Sequence, residues 1–496
     1  MLYNIRMTIF DKIQHQDMSF FDCITTGDII TRLNGDLEFM RHFTAYTTYR
    51  IVDMISIFTF AMVILFSTNV KMTLILLCVM PFVFVVSIFY SKYIRPYFQR
   101  NRQSLADLNT CAQENIEGNR VVKAFTREDY EIDKFSKFSK EYMFSQLKAT
   151  YAFQKVLPLI SFFANSMTVI IMLAGGIMVI DGEMTVGDLV LFTSLSWAIS
   201  MPIQNISNLM NDYHKFKASA EKVMEICVSN PTIKDKPNCI SKPERFSGKV
   251  EFDNVKFEVG KKKILDGVSF EVEAGQTLAI MGPTGSGKTT IANLLSRFYD
   301  VTDGSIKLDD TDIRDLRLED IHRTVVTATQ DVFLFSDTIE NNVAFSDLDM
   351  SIDKVKEASD LAGAARFIRH MPEGYDTIIG ERGVGLSGGQ RQRLAFARAL
   401  AARPSVLILD DTTSAVDAET ENYIKESLKR LPFECTTIII AQRISSVKNA
   451  DKILVLQDGK AQVGTHRILA ATNRYYRDIC EIQGTENLPE FTGGDL

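Results

Sequence analysis

Residues Gly282 to Thr290 read G-P-T-G-S-G-K-T-T, a phosphate-binding loop of the form G-x-x-x-x-G-K-[ST]. Gly282, Gly285 and Gly287 let backbone N–H groups approach phosphate oxygens, with Pro283, Thr284 and Ser286 spacing them. The helix that follows aims its positive end at the same point. Lys288 is placed to reach β- and γ-phosphates, and the Thr289 hydroxyl to hold Mg²⁺; Thr290 completes the run. A second glycine-bearing stretch, L-S-G-G-Q, occupies Leu386 to Gln390.

Such a loop needs a strand to present it. Thr277 to Met281 is an apolar run that reads as a buried strand feeding directly into it. Val406 to Leu409 is another, and it ends in Asp410; this looks like a Walker B element, in which the acid would orient Mg²⁺ through water. Val250 to Phe257 and Val268 to Val272 also read as strands, so residues 249–496 form an α/β domain. The stretch 228–248 carries three prolines and several polar residues and reads as a linker.

The first 227 residues are of another kind. Four runs approach the ~20 apolar residues that span a bilayer: spans are expected near 44–70, 72–91, 156–180 and 187–211. Within them Met54–Val70, Met72–Ser91, Val156–Ile180 and Leu189–Asn211 carry no charge, and four such runs would need a very large core in a soluble protein. The loop 92–155 is rich in Lys and Arg, whereas the short turns near Asn69–Lys71 and Asp181–Glu183 are not. By the positive-inside rule, loops 1–43 and 92–155 are cytoplasmic and both termini face the cytoplasm. This predicts a multi-pass protein of the cell membrane. Asn165, Ser166, Gln204, Asn205 and Asn208 lie within spans; hydrogen bonding between helices is favoured over lining a cavity. Pro202 is expected to kink its helix.

Chain length, 496 residues, calls for two or more domains, and the net charge of −7 argues against nucleic-acid binding. The seven cysteines, at 23, 78, 111, 227, 239, 435 and 480, show no metal or redox spacing.

Together, the phosphate loop and L-S-G-G-Q resemble the ATP-binding cassette (ABC) ATPases, in which the latter is a signature that binds nucleotide held by the opposite subunit. The resemblance extends over essentially the whole chain and implies ATP and Mg²⁺ as ligands. Ser387, Gly388, Gly389 and Gln390 would then contact a partner's nucleotide. Gln330 matches the Q-loop, which contacts Mg²⁺ and the attacking water. Gly380 to Gly383 resemble a cross-talk segment and Ser414 to Asp417 the D-loop. M-S-F-F-D-C-I-T-T-G-D-I-I-T-R-L, at Met18 to Leu33, resembles the first intracellular loop of ABC exporters. E-N-I-E-G-N-R-V-V-K-A-F-T-R-E-D, ending at Asp129, resembles the second, with a short transverse helix that docks on an ATPase domain. The implied fold is an α-helical membrane domain of exporter type, with four of the usual six spans present, followed by the ATPase domain. The sequence starts inside the helix leading into the first loop. A shortened chain that inserts but transports poorly is therefore expected.

Three positions depart from the family pattern. Asp411 stands where the family has the Glu that polarises water; one methylene less draws the carboxylate back by about 1.5 Å. Gln442, in A-Q-R, replaces the switch histidine and cannot carry an imidazolium charge. Val259 takes the place of the aromatic that stacks on adenine, while Phe257 is expected in the core. All three fall on the composite site built by this chain's phosphate loop, whereas the signature is intact. The resemblance thus implies one subunit of a heterodimeric exporter, bearing the degenerate site and moving a hydrophobic drug, lipid or peptide. A slowly hydrolysing homodimer and a non-hydrolysing nucleotide-sensing subunit are the alternatives.

Overall fold

The computed structural model describes residues 2–241, 245–329, 331–380, 383–410 and 418–484. It separates into two units. The first comprises Met1–Gln14 and Thr25–Ser229, and the second His15–Ile24 and Asn230–Leu496.

The first unit is all helical. A continuous helical run, Thr26–Thr68, is the one described segment that is by itself long and apolar enough to cross a membrane. Three long helices follow: Val70–Glu117, Glu128–Ile180 and Val186–Val228. Each joins an apolar stretch to a charged extension, so a single rigid rod serves both a nonpolar and an aqueous environment. The last helix runs on through Pro202. Side chains from all four helices form one cluster that includes Leu65, Met72, Ile171 and Phe192, each almost fully buried.

Polar contacts fix the ends of these helices. The turns at residues 69–71 and 181–183, expected on one side of the membrane, are bonded to each other. Lys71 Nζ lies 2.7 Å from Glu183 Oε1, and Asn69 Nδ2 donates to the Glu183 carbonyl at 3.2 Å. Asn205 accepts from the Arg50 guanidinium at 2.9 Å and so ties two helices together, the packing role expected for it. The side chains of Asn165 and Gln204 lie outside the described residues. Gly118 breaks the second long helix, and a six-residue helix, Asn119–Ala124, forms the tip of the basic loop. Ile116, Val121 and Phe125 at this tip are exposed.

Among the described residues the second unit holds ten strands: β1 (Val250–Val259), β2 (Lys262–Val272), β3 (Thr277–Met281), β4 (Asp303–Leu308), β5 (Thr311–Asp312), β6 (Val325–Ala328), β7 (Val406–Asp410), β8 (Thr436–Ile440), β9 (Lys452–Gln457) and β10 (Lys460–Gly464). A four-stranded antiparallel sheet has the order β2-β1-β4-β5. A six-stranded sheet has the order β10-β9-β3-β8-β7-β6, parallel except for the β9–β10 hairpin. Strands buried on both faces explain the unbroken apolar runs at 277–281 and 406–409. Phe257 is in the core, with its ring centroid 5.9 Å from that of Tyr299.

The ten residues His15–Ile24, counted from sequence with the membrane half, belong to this second unit. Asp17 explains how. Its carboxylate caps the short helix Met18–Cys23 by accepting from the Phe20 N–H. It also accepts from Ser19 Oγ and from the N–H and hydroxyl of Thr232. Asp22 accepts from the Tyr299 hydroxyl at 2.8 Å. Partial burial pushes the Asp17 pKa up, but the hydrogen bonds from Ser19, Thr232 and Ile233 outweigh it and hold the group at about 2, below its ordinary 3.8. The stabilisation by Asp17 is therefore complete above pH 3.8 and disappears as pH falls through about 2. Asp17→Ala removes the cap and should cost about 1 kcal/mol. Faster amide exchange at Met18–Ile24 at neutral pH is the expected result. Unchanged exchange would show that the carboxylate does not hold the segment.

Candidate functional site

The register of the parallel sheet places the site. Ile280 of β3 pairs with Ile440 of β8, and Ile440 pairs with Asp410 of β7. Three neighbouring strands therefore end at one level. Their continuations carry the phosphate loop, the Ala441–Gln442 segment and the Asp410 carboxylate. Ligands of parallel α/β sheets bind at such carboxyl ends.

A cavity of about 290 Å³ lies there. Its walls include Thr284, Gly285, Gly287, Lys288, Thr289 and Thr290 from the loop, Asp410 from β7, and Ala441 and Gln442 from the segment after β8. Two glycines are obligatory for local reasons. A Cβ on Gly282 would stand 2.2 Å from the Leu456 carbonyl oxygen of neighbouring β9. Gly287 has φ +102° and starts the helix Lys288–Leu295; a Cβ there would also crowd Ile264 and Leu265 at 3.1 Å.

Lys288 Nζ donates to the Gly282 and Pro283 carbonyls, both at 2.8 Å, so the loop wraps around the ammonium. Thr289 Oγ1 donates to Asp410 Oδ2 at 3.0 Å. Asp410 is 7% exposed. Burial raises its pKa, opposed by the Thr289 hydrogen bond and the Lys288 charge. The Ser286 hydroxyl is buried and has no hydrogen-bond partner among the described residues. A buried polar atom in that state calls for a ligand or ordered water.

This donor set fits ATP with Mg²⁺. A hydroxyl and a carboxylate at contact distance are the hard oxygen ligands Mg²⁺ takes, the remainder being water and phosphate. Lys288, the loop N–H groups and Ser286 would hold the phosphates, and Thr289 and Asp410 the metal. The ion supplies charge neutralisation at the phosphates. Lys288→Ala removes a charge-assisted contact worth about 1.5–3 kcal/mol, so ATP affinity should fall at least about tenfold. Equilibrium titration with ATP checks this; an unchanged affinity would contradict the assignment.

Not every expected residue joins the cavity. Val259 ends β1 at the β1–β2 hairpin, is 60% exposed, and is not part of the wall. Ile264 on β2 is, and so is Ile440. Sequence reading missed both, although the alternating apolar positions of β2 would have suggested Ile264. Asp411, Gln330 and Ser414–Asp417 lie outside the described residues, as do Glu381 and Arg382 of the cross-talk segment.

The signature stands apart from this cavity. Ser387 caps the helix Gly388–Ala401 in a reciprocal box. Its hydroxyl accepts from the Gln390 N–H at 3.3 Å, and its own N–H donates to Gln390 Oε1 at 2.8 Å. Leu386 packs against a core cluster on the helical side of the unit, and none of Leu386–Gln390 lines the phosphate-loop cavity. The N-terminus of this fourteen-residue helix, with Gly388 and Gly389 at its first positions, suits an anion brought from elsewhere.

Two family models match the chain, one described as ABC transporter transmembrane region over residues 1–203 and one as ABC transporter over residues 265–414. The chain belongs to the ABC transporter family. The transporter is 38% identical to an uncharacterized ABC transporter ATP-binding protein, YknU, of Bacillus subtilis (strain 168), over 97% of this chain and 83% of the relative. It is 36% identical to a putative multidrug export ATP-binding/permease protein, YgaD, of the same organism, with the same coverage. An ATP-dependent lipid A-core flippase of Desulfotalea psychrophila is 35% identical over 97% of this chain and 84% of its own length. Among solved structures, a bacterial Atm1-family ABC exporter with ATP bound superposes with a TM-score of 0.82 at 26% identity, covering 98% of this chain and 86% of the other. The transporter is thus a membrane exporter with a helical transmembrane region fused to an α/β ABC ATPase domain.

Proposed function

We propose that this chain is the degenerate-site subunit of a heterodimeric exporter. It binds Mg-ATP without efficient turnover and lends an intact signature to its partner's hydrolytic site. The observation that carries this reading is the partition of the changes. Asp411 follows Asp410 at the phosphate-loop end of β7, and Gln442 lines the phosphate-loop cavity itself. Ser387 and Gln390, by contrast, keep a complete capping box. Asp410 and Thr289 retain the metal-holding pair and Lys288 the phosphate contact, so binding is kept where catalysis is weakened. Exposed apolar residues at the tip of the second loop, Ile116, Val121 and Phe125, suit a surface that meets a second subunit. In this reading ATP draws the two ATPase domains together, and the intracellular loops pass the closure to the spans. Hydrolysis at the partner's site resets the cycle. Cytoplasmic placement of both termini follows from the basic loops.

The cargo class is proposed as hydrophobic or amphipathic, from relatives described as a lipid A-core flippase and a putative multidrug export protein. Reconstitution tests the whole reading. The chain is placed in inverted vesicles alone and with a second ABC half carrying Glu and His at the two altered positions. ATP-dependent uptake of an amphipathic dye by the mixed vesicles, well above either half alone, is expected. Equal uptake by this chain alone would favour the homodimer. Mixed vesicles that hydrolyse ATP without moving dye would contradict an export role for this cargo class.

A further inference from the structure

The cavity wall at Gln442 is held by a residue forty-one positions away. Gln483 caps the C-terminal helix Arg474–Ile482. Its side-chain Oε1 accepts from the Ile444 N–H at 2.8 Å, and its Nε2 donates to the Gln442 carbonyl at 3.1 Å. Both arms of one amide thus grip backbone groups two residues apart on the segment after β8. The partners fix the amide orientation, because the flipped form would set donor against donor and acceptor against acceptor. The anchor beneath is firm. Tyr476 and Cys480, one face of the same helix, are fully buried in a cluster with Ala279 and Met281 of β3 and with Ala441 and Ile444. Gln442 is exposed between Ala441 and Ile444, which are 3% and 2% exposed. Ala441 and Ile444 are therefore set by packing, and the Gln442 carbonyl by Gln483.

We infer that Gln483 is a positioning residue for the nucleotide site, acting through the Gln442 backbone so that side chain 442 faces the phosphate-loop cavity. The helix that carries Gln483 also packs on the strand feeding the loop, so loop and switch position share one support. The inference rests on the reading that residue 442 serves the bound nucleotide.

Two variants of the full chain test it. Gln483→Met keeps length and loses both hydrogen bonds. Gln483→Glu keeps the acceptor toward Ile444 and loses the donor toward Gln442. Each is made in the native chain and in the Asp411→Glu, Gln442→His background. Steady-state ATPase should show kcat lowered about tenfold by both variants, with KM for ATP changed by less than about twofold. Hydrogen exchange of peptides covering 441–447 should speed up in Gln483→Met, whatever the rate of hydrolysis. Parent-like kcat in both backgrounds, or unchanged exchange, would overturn the inference. A Gln483→Glu chain that behaves as the parent would do so as well, because it would leave the amide as an anchor for Ile444 alone. Failure of the degenerate-site reading is distinguishable: there the two background substitutions would themselves leave the rate unchanged.

Discussion

Asp411→Glu combined with Gln442→His is expected to raise ATP hydrolysis by the purified transporter about a hundredfold, within the range that a positioned general base contributes. The added methylene lets the carboxylate at 411 reach the attacking water from the end of β7. The imidazole at 442 enters a cavity whose walls already hold Lys288, Thr289 and Asp410. The group at 442 needs no new backbone path, since it follows the buried Ala441 at the end of a β-strand in register with β3 and β7. Each single substitution should yield much less than the pair, because base and γ-phosphate contact act as a unit. Steady-state phosphate release at saturating Mg-ATP reads the effect. A double variant no faster than the native chain would place the defect elsewhere.

The second large effect concerns the other composite site. Ser387→Arg should lower hydrolysis in the assembled pair about a hundredfold or more, the scale of losing a group that stabilises transition-state charge. A guanidinium at the helix start breaks the reciprocal bond with Gln390 and fills the space before the Gly388 and Gly389 N–H groups. ATP binding by this chain's own loop should be unchanged, because Ser387 is not part of that cavity. Ser387→Ala is the control for helix integrity: loss of a cap costs about 1 kcal/mol, and it adds no bulk. Full activity in Ser387→Arg would mean the signature is idle and the division of labour wrong.

What could be read in the sequence is what chemistry and solvent force into local patterns. The phosphate loop must compress glycines, Lys288 and Thr289 into nine residues. β3 and β7 must be apolar throughout because both faces are covered, and that marks Asp410 at the end of the second run. The long apolar stretches announce the membrane half, although each sits within a helix that continues far into its charged loop. Contacts between distant backbone groups leave no such pattern. Gln483 looks like any helix-end glutamine until its two partners, 39 and 41 residues earlier, are seen. Asp17 reads as an ordinary cap, yet it also binds Thr232 across 215 residues and joins its segment to the second unit. Ile264 reaches the cavity because of how β2 lies behind the phosphate loop, whereas Val259 ends at the exposed hairpin.

The most direct measurement of the central claim takes the purified chain alone and reads binding and turnover in the same sample. Equilibrium titration with Mg-ATP should show a full complement of bound nucleotide that depends on Lys288. Phosphate release should run at least about a hundredfold below that of the chain mixed with a second ABC half bearing Glu and His at the altered positions. A chain that by itself hydrolyses ATP as fast as the mixture would contradict the proposed asymmetry.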